Sequence, residues 1–384
     1  MSSMSSMSSM SSSRSPVVRH FSKLKDPRRP RHNTKKHKLF DIIVIAICSA
    51  LCGIDEFEHM EMWAKVNKEW LKRFLQLPHG IPSHDTFNRV FARIDPKRFA
   101  ECFLSWMAEV ATLAPGEIVA IDGKTLRGSF DRASSKAPLH MVSAWATANG
   151  VVLGQRSVDE KSNEITAIPE LLASLELKGC LVTIDAMGTQ RDIATKIIGA
   201  GADYTLALKG NQKTLHADVV AAFAKLDPKR IDPSDVFQTQ EAKHGRVDVR
   251  RYILINDIDK LQAKHNWPGL RSIGMVKSTR VTDNGTTVEK RYYLNSYKND
   301  VAQFAKAARN HWGIENGLHW RLDVSLFNED KCRVYKDNAP ENLAVLRHIA
   351  MNLHRKDPEK GSMRAKTLRC TMDHDTLLKV LTLK

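Results

Sequence analysis

Ile118-Val119-Ala120-Ile121-Asp122-Gly123-Lys124 is a short apolar run that stops on an acid, and the chain repeats the device at Cys180-Leu181-Val182-Thr183-Ile184-Asp185. Short apolar runs closed by turn-forming residues read as buried strands. Between them lie Leu139 to Thr147 and Val151 to Val158, joined by Asn149-Gly150, a dipeptide suited to a two-residue hairpin turn. The first three strands are therefore expected to form an antiparallel meander. A helix from Glu164 to Leu175, with Ile165, Ile168, Leu171, Leu172 and Leu175 on its apolar stripe, carries the chain to the second acid-ended strand. A helix from Asp192 to Ile198, a stop at Gly199 to Gly201 and a strand from Tyr204 to Leu208 follow. The pattern predicts an α/β fold with a mixed sheet flanked by helices. Asp122 and Asp185 should end neighbouring strands and point to one side, at the carboxyl edge where open α/β sheets bind ligands.

A third acid belongs with these two. Helical periodicity runs from Val301 through Trp320, and an advance of about 100° per residue from Phe304 places Ala308, Glu315, Leu318 and Leu322 on one stripe. Glu315 is expected inside that apolar face, where a carboxylate must be paired or bound to metal. Gly313 and Gly317 flank it at a cost in helix propensity, which predicts a close approach to this helix. Three converging carboxylates are hard oxygen ligands suited to two Mg²⁺ (or Mn²⁺) ions, the arrangement that serves in-line phosphoryl displacement.

The rest of the chain fits a polyanionic partner. Its 384 residues contain 59 Lys and Arg against 43 Asp and Glu, a net charge of +16 that favours nucleic acid. At 42% hydrophobic and 27% charged residues the composition is that of a globular protein. Residues 1–38 read as a disordered basic arm. A Met/Ser tract leads it, and Arg14 to Lys38 holds ten Lys or Arg and one acid, with Arg28, Arg29, Arg31, Lys35 and Lys36 placed to lie along DNA phosphates. Residues 39–114 read as a helical DNA-binding domain, with helices at Leu39 to Leu51, Phe57 to Asn67, Glu69 to Leu77, His84 to Ile94 and Pro96 to Leu113. The fourth helix sets Phe87, Val90, Phe91 and Ile94 on one stripe and leaves Arg89 and Arg93 for DNA.

Pro115-Gly116 marks the change to strands, so residues 115–235 form the first part of the core. Residues 236–298 read as a β-rich insertion, with strands at Val247 to Ile255, Ser272 to Arg280 and Thr286 to Asn295, and residues 299–384 complete the core and add a helical tail. Lys209, Asn211 and Gln212 follow a core strand, and Arg246 and Arg250 share a strand face with His244 and Arg251 nearby; all are candidates for DNA contact. Trp312 and Trp320 are expected in the core. The longest apolar run, Ile42 to Cys52, falls short of the roughly 20 residues a membrane span needs, and no secretory signal is evident, so a cytoplasmic protein without membrane contact is expected. The six cysteines form neither a disulfide framework nor a CxxC zinc pair.

Several motifs occur in a telling order: Ala120-Ile121-Asp122-Gly123-Lys124, Thr183-Ile184-Asp185-Ala186, Leu208-Lys209-Gly210-Asn211-Gln212, and His311-Trp312-Gly313-Ile314-Glu315-Asn316 continuing through Leu318-His319-Trp320 to Leu322-Asp323-Val324. In these the chain resembles bacterial insertion-sequence DDE transposases, the branch containing the H-repeat-associated proteins, from about Leu39 onward. The resemblance implies an RNase H-like catalytic core, a helical N-terminal domain for DNA ends, and a β-insertion before the last acid. It implies Asp122, Asp185 and Glu315 as catalytic residues holding two Mg²⁺ (or Mn²⁺) ions for cleavage and strand transfer. Its implied partner is double-stranded DNA, both element ends and target, bound by a homodimer in the active complex. Where relatives with a β-insertion place tyrosine, arginine and lysine around the last acid, this chain has Ala308, His311 and Leu322; Arg309 and Arg321 lie close by for phosphate contacts. Asp323, Glu329 and Asp330 stand in reserve as the third acid. The rival functions are a metal nuclease of the same fold without strand transfer and a decayed transposase that only binds DNA.

Overall fold

The computed structural model describes residues 15–29, 35–130, 137–158, 164–227, 231–243 and 245–383. Its centre is a nine-stranded sheet in the order β3-β2-β1-β4-β5-β9-β8-β7-β6. The strands are β1 (Ile118–Leu126), β2 (Leu139–Ala146), β3 (Val151–Val158), β4 (Leu181–Ile184), β5 (Asp203–Leu208), β6 (Val236–Lys243), β7 (Arg246–Ile255), β8 (Ser272–Thr282) and β9 (Gly285–Asn295). The hairpin forms as expected, with Gly150 at φ +66° in the turn between β2 and β3. Strands β1, β4 and β5 run parallel and every other pairing is antiparallel. The strands of 236–298 do not stand apart: β9 pairs with β5, so this segment extends the same sheet. It holds a fourth strand beyond the three expected. β6 is the polar edge, with Gln238, Thr239, Gln240 and Glu241 giving no apolar alternation to read.

Before the sheet come α1 (Pro16–Phe21), α2 (Leu39–Leu51), α3 (Phe57–Val66), α4 (Lys68–Leu71), α5 (His84–Phe91) and α6 (Pro96–Val110). Helix α2 is apolar on every side and buried from Ile42 to Leu51, as a helix surrounded by others must be. The described part of the basic arm departs from the expectation of disorder. Val17, Val18 and Phe21 of α1 are buried, Phe21 against Phe99, and the Ser15 hydroxyl donates to the Leu381 carbonyl. Three apolar side chains on one short turn outweigh the flanking charge. Helix α4 is also shorter than expected: it stops at Leu71, and by Leu77 the backbone has turned to φ +41° with its N–H donating to the buried Asp41 carboxylate.

Helices α7 (Glu164–Ala173), α8 (Arg191–Gly199), α9 (Lys213–Ala224) and α10 (Asp259–His265) connect strands, and α11 (Val301–Asn310) lies on the β7–β9 face. There the Phe304 ring packs against Gly274, where a Cβ would come within 2.5 Å, and edge-on to Tyr252 and Tyr293. Helix α12 (Ala339–Lys356), buried from Ala339 to His354 except at its Glu341 position, packs on α2, and α13 (Met363–Met372) and α14 (His374–Leu381) close around the pair. Among the described residues no helix is long and apolar enough to cross a membrane.

Candidate active site

Register brings the first two acids together. Ile121 of β1 pairs with Ile184 of β4, so Asp122 and Asp185 occupy the next position on adjacent parallel strands. β1 does not end at Ile121 as expected; it runs on to Leu126 beside β2, and Asp122 sits where β1 outruns its shorter parallel neighbour. At Asp185 the chain turns. The Asp185 Oδ1 accepts the N–H groups of Met187 at 3.0 Å and Gly188 at 3.2 Å, which fixes the carboxylate at the mouth of the turn.

Glu315 reaches the same cavity, of about 370 Å³, lined by Asp122, Asp185, Lys209, Arg291, His311 and Glu315 among others. It arrives by a different route from the one expected. Phe304, Ala308, Leu318 and Leu322 are buried on one stripe, but Glu315 is exposed to the cavity. The α-helix ends at Asn310, before Glu315, and after a turn at 311–312 the chain goes on into two wide π-helical turns, Glu315–His319 and Arg321–Leu326, so the unbroken 100° phase counted from Phe304 does not reach Glu315. Of its flanking glycines, Gly317 admits a neighbour, since a Cβ there would lie 3.1 Å from the Trp145 ring, whereas Gly313 has open space.

The electrostatics mark Asp122. Burial pushes its carboxyl up to about 7, the Gly123 N–H partly offsets this, and the carboxylates of Asp185, Glu315 and Glu164 push it further. The Asp122 Oδ2 lies 3.7 Å from His319 Nδ1, and burial holds that imidazole neutral, down to about 3. On the other side, Glu164 and His140 pair at 2.5 Å directly against the backbone of Gly123. A Cβ on Gly123 would fall 2.3 Å from Glu164 Oε1 and 2.4 Å from His140 Nε2. Glu164 and His140 escaped the sequence reading because their pairing exists only in space, and His319 entered it only as part of a motif; an acid opening a helix at Glu164 was the available signal.

Three hard-oxygen donors around one cavity, one of them raised by burial first and by its neighbouring carboxylates after that, are the donor set a divalent cation would relieve. As they stand they line the cavity without closing on a point: among the described residues no three His, Cys, Asp or Glu side chains form a ready cage for an ion. The reserve acids are engaged elsewhere. Lys124 Nζ meets Asp323 at 2.5 Å and Glu329 at 2.6 Å, Glu329 also meets Arg347 at 3.2 Å, and Asp330 lies 3.8 Å from Arg127.

The basic residues fall into four places. Arg28, Arg29 and Lys36 share a groove of about 1020 Å³ with Arg89 and Arg93 of the α5 region; Lys35 lies 3.7 Å from Asp26, and Arg31 is outside the described residues. Arg28 is partly held within it, donating to Asp26 at 2.7 Å and to the His37 carbonyl. A second groove holds Arg250 and Arg309 with Arg280, Arg291 and Trp312, and it shares Arg291 and Trp312 with the acid-lined cavity. Arg246, Arg250 and Arg280 all face Asp248, and Arg309 meets Glu241 at 3.3 Å. Lys209 lines the acid cavity, but Asn211 and Gln212 turn inward, donating to the carbonyls of Ala186 and Thr189. Their amides brace the turn after Asp185. Arg321 stands apart, near Arg355. Trp312 and Trp320 are not core residues: they are 37% and 54% exposed, and the Arg291 guanidinium lies 4.8 Å over the Trp312 ring.

The sheet and its acid-lined edge define a mixed α/β protein with a carboxylate cavity at a strand terminus. Residues 113–353 match the family model described as Transposase DDE domain, and residues 18–107 match the one described as DDE_Tnp_1-associated. The chain belongs to the Transposase DDE domain family, in the company of H-repeat-associated relatives. It is 43% identical over 346 residues to "Putative transposase YncI" of Escherichia coli O157:H7, covering 88% of this chain and 87% of that one. It is 40% identical over 352 residues to "H repeat-associated putative transposase YhhI" of Escherichia coli strain K12, covering 90% and 93%. Among solved structures, a piggyBac transposase synaptic complex with hairpin DNA aligns with 95% of this chain and 76% of its own at a TM-score of 0.40 and 10% identity, too distant a likeness to carry an argument.

Proposed function

We propose that the protein is a DNA transposase that cuts and joins phosphodiester bonds at the ends of an insertion sequence, on an RNase H-like core. The observation that carries this reading is the convergence of Asp122, Asp185 and Glu315 on one cavity, with Asp122 raised to about 7. The order β3-β2-β1-β4-β5, with parallel pairing confined to β1, β4 and β5, supports the core assignment. In this reading residues 39–114 bind DNA ends, 115–235 and 299–384 build the core, and 236–298 extend it.

Asp122, Asp185 and Glu315 would hold two Mg²⁺ (or Mn²⁺) ions. Bound there, such ions would supply Lewis acidity for an attacking hydroxyl and charge relief for the leaving oxygen. The chain supplies the positioning. The Met187 and Gly188 N–H groups orient Asp185, while Asn211 and Gln212 brace the turn behind it. Lys209 and Arg291, both on the cavity wall, are placed to counter phosphate charge. The groove joining Arg28, Arg29 and Lys36 to Arg89 and Arg93 follows a duplex backbone, and coordinated cutting of two ends implies a homodimer in the DNA complex.

The test is cleavage and strand transfer on DNA carrying the ends that flank the gene, with Mg²⁺ or Mn²⁺, comparing native protein with Asp185→Asn. Cut and joined products from the native protein, absent from a variant that still binds DNA, support the reading. Cutting without joining would make it a nuclease, and binding without cutting would leave a DNA-binding protein only.

A further inference from the structure

His319 is a polar side chain at the acid-lined edge that the chemistry above leaves unused. It closes the π turn that Glu315 opens, and its side chain is only 13% exposed. The turn is pressed onto the sheet. Leu318 and Leu322 are buried, and Gly317 lies so close that a Cβ there would be 3.1 Å from the Trp145 ring. Trp145 is opposite Ala120 on β1, and strand alternation puts Ala120 and Asp122 on one face, so the turn lies against the face that carries Asp122. One short segment thereby brings Glu315 to the cavity and, four residues on, an imidazole to the first acid.

That imidazole has little else to meet. Among the described residues Asp122 Oδ2, 3.7 Å from Nδ1, is the one carboxylate oxygen in ion-pair range, and Nε2 is buried without a hydrogen-bond partner. His140, by contrast, has both ring nitrogens engaged, by Thr125 and Glu164. A buried ring that forgoes hydrogen bonds costs stability, and packing alone would be served by the leucine the chain uses at Leu318 and Leu322. Asp122 takes the Gly123 N–H and has room for a second donor. The gap to His319 is about 0.7 Å beyond hydrogen-bond length, and catalytic contacts of this kind tighten when a site fills.

We propose that His319 is the positioning residue for Asp122, donating Nδ1–H to Oδ2 and so holding the carboxylate with its other oxygen free for a divalent cation. Carboxylates that ligate metals are themselves held by such outer partners, whose loss costs about 10–100-fold in metal affinity. The inference rests on the metal reading above.

Mn²⁺ titrated into the full chain without DNA, followed by calorimetry, tests it. His319→Leu keeps the bulk and removes the donor, and should weaken Mn²⁺ binding by about 10–100-fold. In His319→Asn the amide nitrogen stands where Nδ1 does, and affinity should stay near the native value. In His319→Gln it stands where Nε2 does, and affinity should fall as in His319→Leu. Native affinity in His319→Leu, or equal losses in His319→Asn and His319→Gln, overturns the proposal; the second comparison decides even where His319→Leu fails to fold. Pulsed electron paramagnetic resonance of the Mn²⁺-loaded protein separates support from ligation: a nitrogen coupling that His319→Asn abolishes would make His319 a ligand and overturns the positioning role. Heteronuclear NMR of the His319 ring nitrogens in EDTA, at about pH 8 where Asp122 is ionised, needs no metal. The Nδ1–H tautomer is expected there, and Nε2–H overturns the proposal. If the native protein binds no Mn²⁺, the metal reading falls while the tautomer still decides the contact.

Discussion

Asp122 concentrates what a single residue contributes here. Folded, its carboxyl titrates near 7, against 3.8 for the free side chain, so between those values the native state holds a proton that the unfolded chain has released. The stability this confers is complete below about 3.8 and is lost as pH rises through 7. Asp122→Asn should therefore be the more stable protein at pH 8 in EDTA, by a few kcal/mol at about 1.4 kcal/mol for each pH unit that separates the two values, as scanning calorimetry would show. Added Mg²⁺ should raise the native melting temperature and not the variant's. Gly123→Ala should act by contact alone, forcing a Cβ into the Glu164–His140 pair, with a loss of about 1–3 kcal/mol in denaturant titration and loss of cleavage. Asp122 and Asp185 could be read from sequence because each closes an apolar run. Glu315 was singled out by its motif and by a stripe argument, and the fold does not keep the second, since the helix ends at Asn310 and no unbroken stripe reaches Glu315.

Among the elements, α12 does most to tie the molecule together. Its Arg347 is 2% exposed and bridges Asp55, in the loop after α2, to Glu329, which in turn meets Lys124, two residues from Asp122. Arg347→Met should leave Asp55 buried without its cation and Glu329 with Lys124 alone, at a cost of about 3–5 kcal/mol in denaturant titration. If the loss is under 1 kcal/mol, water reaches this network and the chain of charges is not a unit. Strands and helices with a clear apolar period, such as β1, β3, α5 and α12, were readable. β6 was not, because an edge strand facing water has no reason to alternate, and α1 was hidden by the charges around its three apolar residues.

For the whole molecule, acid is the sensitive variable. Burial holds His311, His348 and His354 at about 4 and His319 at about 3, so each is neutral in the native protein and charged in the unfolded chain below 6.5. The stability they carry is present above 6.5 and is lost as pH falls towards 4, opposed by the one proton of Asp122. The melting temperature should drop from pH 7 to pH 5, with a slope of up to about three net protons, roughly 4 kcal/mol per pH unit at its steepest; a flat profile would mean that these imidazoles are hydrated. The basic total was visible in the composition, but its division into separate grooves was not, since Arg28 and Arg89 or Arg250 and Arg309 meet only through the fold. The packing of α2 against α12 also has a consequence for biosynthesis. A largely apolar helix complete by residue 51 finds its partner only when the ribosome has passed residue 339, and contacts that come later still run from Cys52 to the Cys370 carbonyl and from Ser15 to the Leu381 carbonyl. A gene copy cut short before that point would release a chain whose greasiest helix stays uncovered, and such a product should be cleared or aggregate before it could compete with intact protein for DNA.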